Sequence, residues 1–194
     1  MIAQLRAALV AILAFTLLTG VLYPLAVTGV AQAAMHDKAS GSLLEKDGKV
    51  VGSRLIGRQW DDPKYFWGRL SATLDSNGKA LAYNGGNSAG SNLGPTSQKL
   101  IDTISQRVDQ MRAANGGGPV PVDLVTTSAS GLDPDISPAA AAYQVARVAA
   151  ARGMSTAAVQ ALVDKHTEQP LLGFLGEPAV NVLLLNLDLD GLLK

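Results

Sequence analysis

Hydrophobic and polar positions divide this chain near residue 35. From Ala7 to Met35 no side chain carries a charge, and at ~1.5 Å per residue a helix over this run outreaches the roughly 30 Å hydrocarbon core of a bilayer. The pattern predicts one membrane-spanning helix within residues 1–34 and a water-soluble domain over 35–194. Past a polar linker, Ala39-Ser40-Gly41-Ser42, the apolar Val50, Val51, Leu55 and Ile56 predict a strand or two, interrupted by Gly52-Ser53 and closed by Gly57. From Asp61 to Pro95 the chain is dense in Gly, Asn, Ser and Pro with scattered aromatics, so it reads as loop. After Pro95 the stripe Leu100, Ile104, Val108, Met111 predicts a helix, stopped at Asn115-Gly116-Gly117-Gly118.

A second loop runs from Thr126 to Pro138, too long for a hairpin turn. Ser137-Pro138 forms an N-cap and first-turn pair for an alanine-rich helix that ends at Gly153, with Arg147 and Arg152 toward its C-terminus. Ser155 caps the next helix, whose buried stripe is Val159, Leu162 and Val163 and which ends near His166. Val180 to Leu187 is apolar on both faces and reads as a central strand. The class is α+β, a soluble domain anchored by one N-terminal transmembrane helix.

The apolar run is about twice the length of a signal-peptide core, which favours a retained anchor. The alternative is an exported periplasmic ligand-binding domain with a cleaved signal peptide, since Ala31-Gln32-Ala33 matches an A-x-A cleavage pattern. Pro24 is expected to kink the span or mark its outer end. Arg6 on one flank and Lys38, Lys46 and Lys49 on the other give no clear positive-inside signal. The very short tail before Arg6 and an interfacial Tyr23 favour a cytoplasmic N-terminus and an extracytoplasmic domain. Thr16, Thr19, Gly20, Tyr23 and Val27 recur at helical spacing, a stripe able to pack on another helix, with Thr16, Gly20 and Tyr23 as candidate packing residues.

Composition narrows the chemistry. Lys+Arg and Asp+Glu balance at 16 each, which disfavours nucleic acid, and the absence of cysteine excludes disulfides and thiolate sites. The only histidines, His36 and His166, lie in no metal-ligand spacing, so no metal is expected. No G-x-x-x-x-G-K-[ST] is present, hence no P-loop. Gly86-Asn87-Ser88-Ala89-Gly90 matches G-x-S-x-G, but no apolar strand leads into it, and a glycine-rich loop is the better reading. Gly90-Ser91-Asn92-Leu93-Gly94-Pro95 is expected to open the following helix, where free amides could hold an anion, although a plain structural cap accounts for most of the pattern.

Taken in order, several segments carry a resemblance. They are Tyr23-Pro24-Leu25; Gly52-Ser53 with Leu55-Ile56-Gly57; Tyr65-Phe66 with Arg69 and Ser71-Ala72; Tyr83-Asn84 with Ser88 and Gly90 through Pro95; and Asp123-Leu124-Val125-Thr126. Ser128 through Pro134, Gln144 with Arg147-Val148-Ala149, Ala151-Arg152-Gly153, Leu175-Gly176-Glu177-Pro178 and Val180-Asn181-Val182-Leu183 with Leu185-Asn186 continue it. Over nearly its whole length the chain resembles the C subunit of the Kdp-type potassium-transporting P-type ATPase. Leu70 and Trp60 depart from the proline and phenylalanine expected there.

The resemblance implies an accessory, non-catalytic subunit in the bacterial inner membrane. Its partners would be a channel-like potassium-binding subunit, an ATP-hydrolysing P-type subunit and a small membrane peptide. It also implies a catalytic chaperone that raises the catalytic subunit's affinity for ATP, with Gln144 in the motif proposed to hold nucleotide in a transient ternary complex. The chain has no cofactor motif of its own, so ATP enters only through the complex. With the domain outside the membrane, Gln144 could not meet cytoplasmic ATP, and on an alanine-rich helix it is expected to cap a neighbouring loop. Ser91, Asn92, Gly94, Ser130 and Asp133 mark the candidate interaction loops.

Overall fold

The computed structural model describes residues 2–192. α1 (Ile2–Leu17) runs through a π-helical turn (Leu18–Leu22) into α2 (Tyr23–Ala34). Proline explains the turn. Pro24 has no N–H to give the Gly20 carbonyl, and its ring would crowd that oxygen, so the turn before it widens and Tyr23 N–H donates five residues back, to Leu18 O. The continuous helical stretch Gln4–Ala34 is 31 residues long and apolar enough to cross a membrane, and none of its most apolar window is buried within the chain. Leu9, Ile12, Leu13, Phe15 and Leu25 therefore stand on its outside, where hydrocarbon suits them and water does not. A single turn, α3 (His36–Ala39), follows.

The chain divides after Leu43 into two compact units. The second opens on a hairpin of β1 (Leu43–Lys46) and β2 (Lys49–Ser53), turned by Asp47 and Gly48 at φ 51° and 72°, the left-handed pair that two-residue hairpin loops need. The expected strand at 50–56 is thus realised only to Ser53. Leu55 and Ile56 fold back, Ile56 N–H donating to Ser53 O at 3.3 Å.

The core is built on helices. α4 (Gln98–Asn115) contributes Met111 and, half-buried, Ile104 and Val108. After a 3-10 turn (Val122–Leu124) and β3 (Asp135–Ile136), α5 (Pro138–Arg152) buries Ala140, Ala141, Val145, Val148 and Ala149. Its alanines let α6 (Thr156–Lys165) approach closely with Val159 and Val163. The predicted caps form: Ser137 Oγ accepts from Ala140 N–H at 3.0 Å, Ser155 Oγ from Ala158 N–H at 3.1 Å, and Gly153 closes α5 at φ 65°.

β4 (Thr167–Glu168) and β5 (Ala179–Asn181) complete an antiparallel sheet in the order β3-β5-β4, pairing Asp135 with Asn181 and Thr167 with Val180. The apolar run from Val180 is not a long central strand. Only Val180 and Asn181 belong to β5; the rest is α7 (Val182–Leu189), started by Asn181, whose Oδ1 accepts from Leu184 N–H at 3.1 Å. An apolar run this short fits a buried helix as well as a buried strand, and the Asn N-cap decides for helix.

Candidate functional site

The polar centre of the domain grips two residues of the long first loop. Asn186, buried on α7, accepts from Phe66 N–H at 2.8 Å and donates to Phe66 O at 2.9 Å. Gln144, on α5, repeats the arrangement one residue along, accepting from Trp67 N–H at 2.8 Å and donating to Trp67 O at 3.0 Å. Two side-chain amides thus satisfy the backbone of the buried Phe66 and the half-buried Trp67 as a neighbouring strand would. Gln144 also donates to Ala140 O and accepts from Arg147 Nη2 at 2.7 Å, so this 0% exposed side chain has every donor and acceptor in use.

Arg147 locks the same loop from its other side. Its guanidinium donates to Pro63 O, to Tyr65 O at 3.0 Å and to Asn115 Oδ1 at 2.9 Å, and it lies 4.2 Å from the centre of the Trp67 ring. Burial, together with the nearby Arg107 cation, pushes its pKa down from 12.5 to about 10. Arg107 Nε donates to Leu124 O at 3.1 Å and its charge sits 5.8 Å from the same ring.

A second knot joins the loop over 69–90 to the loop over 126–134. Arg69 pairs with Asp133 at 3.0 Å and donates to Thr127 O. Ser71 Oγ donates to Gly131 O at 2.7 Å and accepts from Tyr83 N–H; Tyr83 OH donates to Arg69 O at 2.7 Å. Burial, with Asp133 as the next cause, pushes the Tyr83 phenol up to about 12. Ala89 N–H and Ser88 Oγ both donate to Ser130 O, at 2.9 and 3.0 Å. Gly131 sits at φ 67°, and a Cβ there would lie 2.5 Å from Ala89 O, so the loops close only around glycine.

Among the sequence-predicted residues, Ser130 and Asp133 fall in this knot. Ser91, Asn92 and Gly94 lie in the segment that leaves it toward α4, with Asn92 at φ 52°. That segment does not open the helix. Pro95 is the second residue of a turn in which Ser97 N–H donates to Gly94 O at 2.9 Å, and α4 starts at Gln98 with Ser97 as its N-cap residue. The expectation that Gly90 to Pro95 opens the helix is therefore not met, and the alternative of an anion held at that helix terminus loses its basis. Gln144 belongs to the Phe66–Trp67 grip. Thr16, Gly20 and Tyr23 lie on or beside the π turn of the other unit, where a Cβ on Gly20 would find only Thr16 Cγ2, at 3.9 Å. His166 is a structural partner of Asp188, at 2.7 Å.

Sequence reasoning assigned Asn186 no site role beyond its place in the resemblance, and it did not pair Arg69 with Asp133. An Asn deep in an apolar run, five residues past the Asn181 cap, was the available signal for the first, because a buried amide demands partners. For the pair, 64 residues apart, no local pattern exists. These interlocked side chains hold loops in place; the described residues contain no group of three or more His, Cys, Asp or Glu set to bind a metal ion.

Fold and site define a class: a small α+β domain ordered by buried polar clamps, carried on a chain whose one long N-terminal helix is apolar enough to span a bilayer. The model of the family described as KdpC, K+-transporting ATPase, c chain, matches residues 5–191, and the chain belongs to that family. It is 60% identical over 193 residues to the potassium-transporting ATPase KdpC subunit of Sorangium cellulosum, covering 98% of this chain and 99% of the relative. It is similar also to the proteins of the same name from Paraburkholderia phytofirmans (58% over 177 residues; 90% of each chain) and Methylococcus capsulatus (56% over 194 residues; 99% and 100%).

Proposed function

We propose that this chain is the accessory, non-catalytic subunit of an ATP-driven potassium uptake complex in the bacterial inner membrane. Its amino terminus lies in the cytoplasm and its domain, residues 35–194, outside. It stabilises an assembly of a channel-like potassium-binding subunit, an ATP-hydrolysing P-type subunit and a small membrane peptide. The observation that carries this reading is similarity to KdpC subunits through the helix and the domain alike. The length of the helix, 31 residues, supports its retention as an anchor over a signal peptide's shorter core.

We further propose that the subunit raises the catalytic subunit's ATP affinity by coupling through subunit contacts, without holding nucleotide itself. Supporting this, the Gln144 amide is buried with all its hydrogen bonds taken, so nucleotide could reach it only by unmaking the Trp67 clamp. Purification of the tagged chain from native membranes is expected to recover two larger membrane subunits. Recovery of a lone monomer, or a mature N-terminus near Ala34, would overturn the reading in favour of a free exported domain.

A further inference from the structure

Between the paired strands β4 and β5 the chain throws out a loop over 169–178 that is apolar and turned outward. Leu171, Leu172, Phe174 and Leu175 are 70, 75, 72 and 52% exposed. Four bulky apolar side chains within five residues form a contiguous exposed cluster, unlike the single exposed leucines and valines elsewhere on a domain surface. The loop is shaped. Gly173 N–H donates to Pro170 O at 2.9 Å and Leu175 N–H to Leu171 O at 3.0 Å, while Glu168 paired with Ala179 fixes its base.

Leu172 stands at its tip with φ 57°, a left-handed conformation that suits Gly or Asn and strains leucine. A turn needed only to reverse the chain would relax with glycine. Leucine there keeps an apolar side chain outward at a conformational cost.

The surround is acidic. Glu168 and Glu177 flank the turn, no basic residue lies between them, and neither makes an ion pair among the described residues. Glu177 also borders a cavity of about 290 Å³ whose lining includes Arg69, Val122, Asp123, Asp133 and Asp135. Val122 is itself 70% exposed and extends the apolar surface. Asp135 is raised above the ordinary carboxylate range by burial and then by Asp133, whose own charge is paired with Arg69, so the exposed acidic rim is Glu168 and Glu177. Such a rim repels anionic lipid headgroups and suits a protein surface that is apolar at its centre and rimmed by Lys or Arg.

We infer that the turn over 170–175, with its acidic rim, is the docking knob by which this domain seats in an apolar, basic-rimmed pocket on a partner subunit of its complex. This rests on the accessory-subunit reading proposed above. Apolar anchors in a central pocket with a charged rim are the usual anatomy of a tight interface, where a few side chains dominate.

Leu172→Gly tests it without disturbing the fold, because glycine fits the backbone at that position better than leucine. Combined with Phe174→Ser in the full chain, expressed with its native partners, it is expected to lower recovery of the larger subunits at least ten-fold. Thermal unfolding of the purified chain should stay within the wild-type range. Glu177→Lys is expected to weaken recovery and make it less sensitive to salt. A benzophenone amino acid at Leu172 should crosslink to a larger subunit in native membranes. If wild type recovers the partners while the double variant does so equally and the crosslink falls on lipid or nothing, the knob is overturned and the accessory reading stands. A wild-type chain recovered alone, with no protein adduct at Leu172, overturns both.

Discussion

The smallest unit that explains this domain is a primary amide facing a peptide bond. Gln144 and Asn186 come from helices far apart in sequence, yet each makes the same two-bond contact with one residue of the Phe66–Trp67 pair. Replacing either by alanine leaves a buried N–H and C=O without partners, a loss of about 1–3 kcal/mol. Chemical unfolding of the purified chain is expected to show this for both variants. In complexes that retain the Gln144→Ala subunit, the KM for ATP should match wild type; a selective rise would mean that Gln144 serves nucleotide directly.

Tyr83 supplies a pH-dependent test at the same scale. Its phenol ionises near 10.0 when unfolded and at about 12 when folded. Between those values the unfolded chain holds fewer protons, so the Tyr83 contribution is fully present below pH 10 and is lost as pH rises toward 12. The lowered pKa of Arg147 acts in the opposite direction over part of this window, but equally in wild type and in Tyr83→Phe. Tyr83→Phe should cost about 1 kcal/mol at neutral pH for the bond to Arg69 O. Measured by unfolding from pH 9 to 12, its deficit relative to wild type should shrink and then reverse sign, because a pKa raised from 10.0 to about 12 corresponds to about 2.7 kcal/mol and outweighs the lost bond.

At the scale of elements, what the sequence reveals depends on where each element's order comes from. α4, α5 and α6 are legible because their information is local: an apolar stripe, Ser137 and Ser155 as caps, and glycines at the ends of α4 and α5. α7 is not, because Val180 to Leu187 has no period and only Asn181 separates strand from helix. The loops over 57–97 are legible only as loops. Their shape is fixed by distant partners, Ser71 with Gly131 and Arg69 with Asp133 among them, which no spacing rule predicts. Candidate site residues follow the same division: Ser130 and Asp133 sit in an interlocking loop, whereas Asn186 was hidden in an apolar run.

The π turn gives an element-scale prediction. Gly20 has open space beside it in the isolated helix, so Gly20→Leu should leave the helix itself undisturbed. Any loss is then attributable to a neighbouring helix that needs close approach. Co-purification of the larger subunits is expected to fall several-fold. Unchanged recovery would put that face against lipid.

For the whole molecule the decisive quantity is which side of the membrane the domain occupies. With the one helix among the described residues that is apolar enough to span acting as the anchor proposed above, that side is an all-or-none property of the domain, and it determines whether any of its residues can touch cytoplasmic nucleotide. With the domain outside, an effect on ATP must travel through partner subunits, which agrees with a Gln144 whose bonds are all committed inward. A cysteine at the exposed Ser130, in a chain that has none of its own, reports the side directly. In intact cells a membrane-impermeant maleimide is predicted to label Ser130→Cys as fully as it does after lysis. Labelling that appears only once the cells are lysed would contradict the account and return the domain to the compartment that holds ATP.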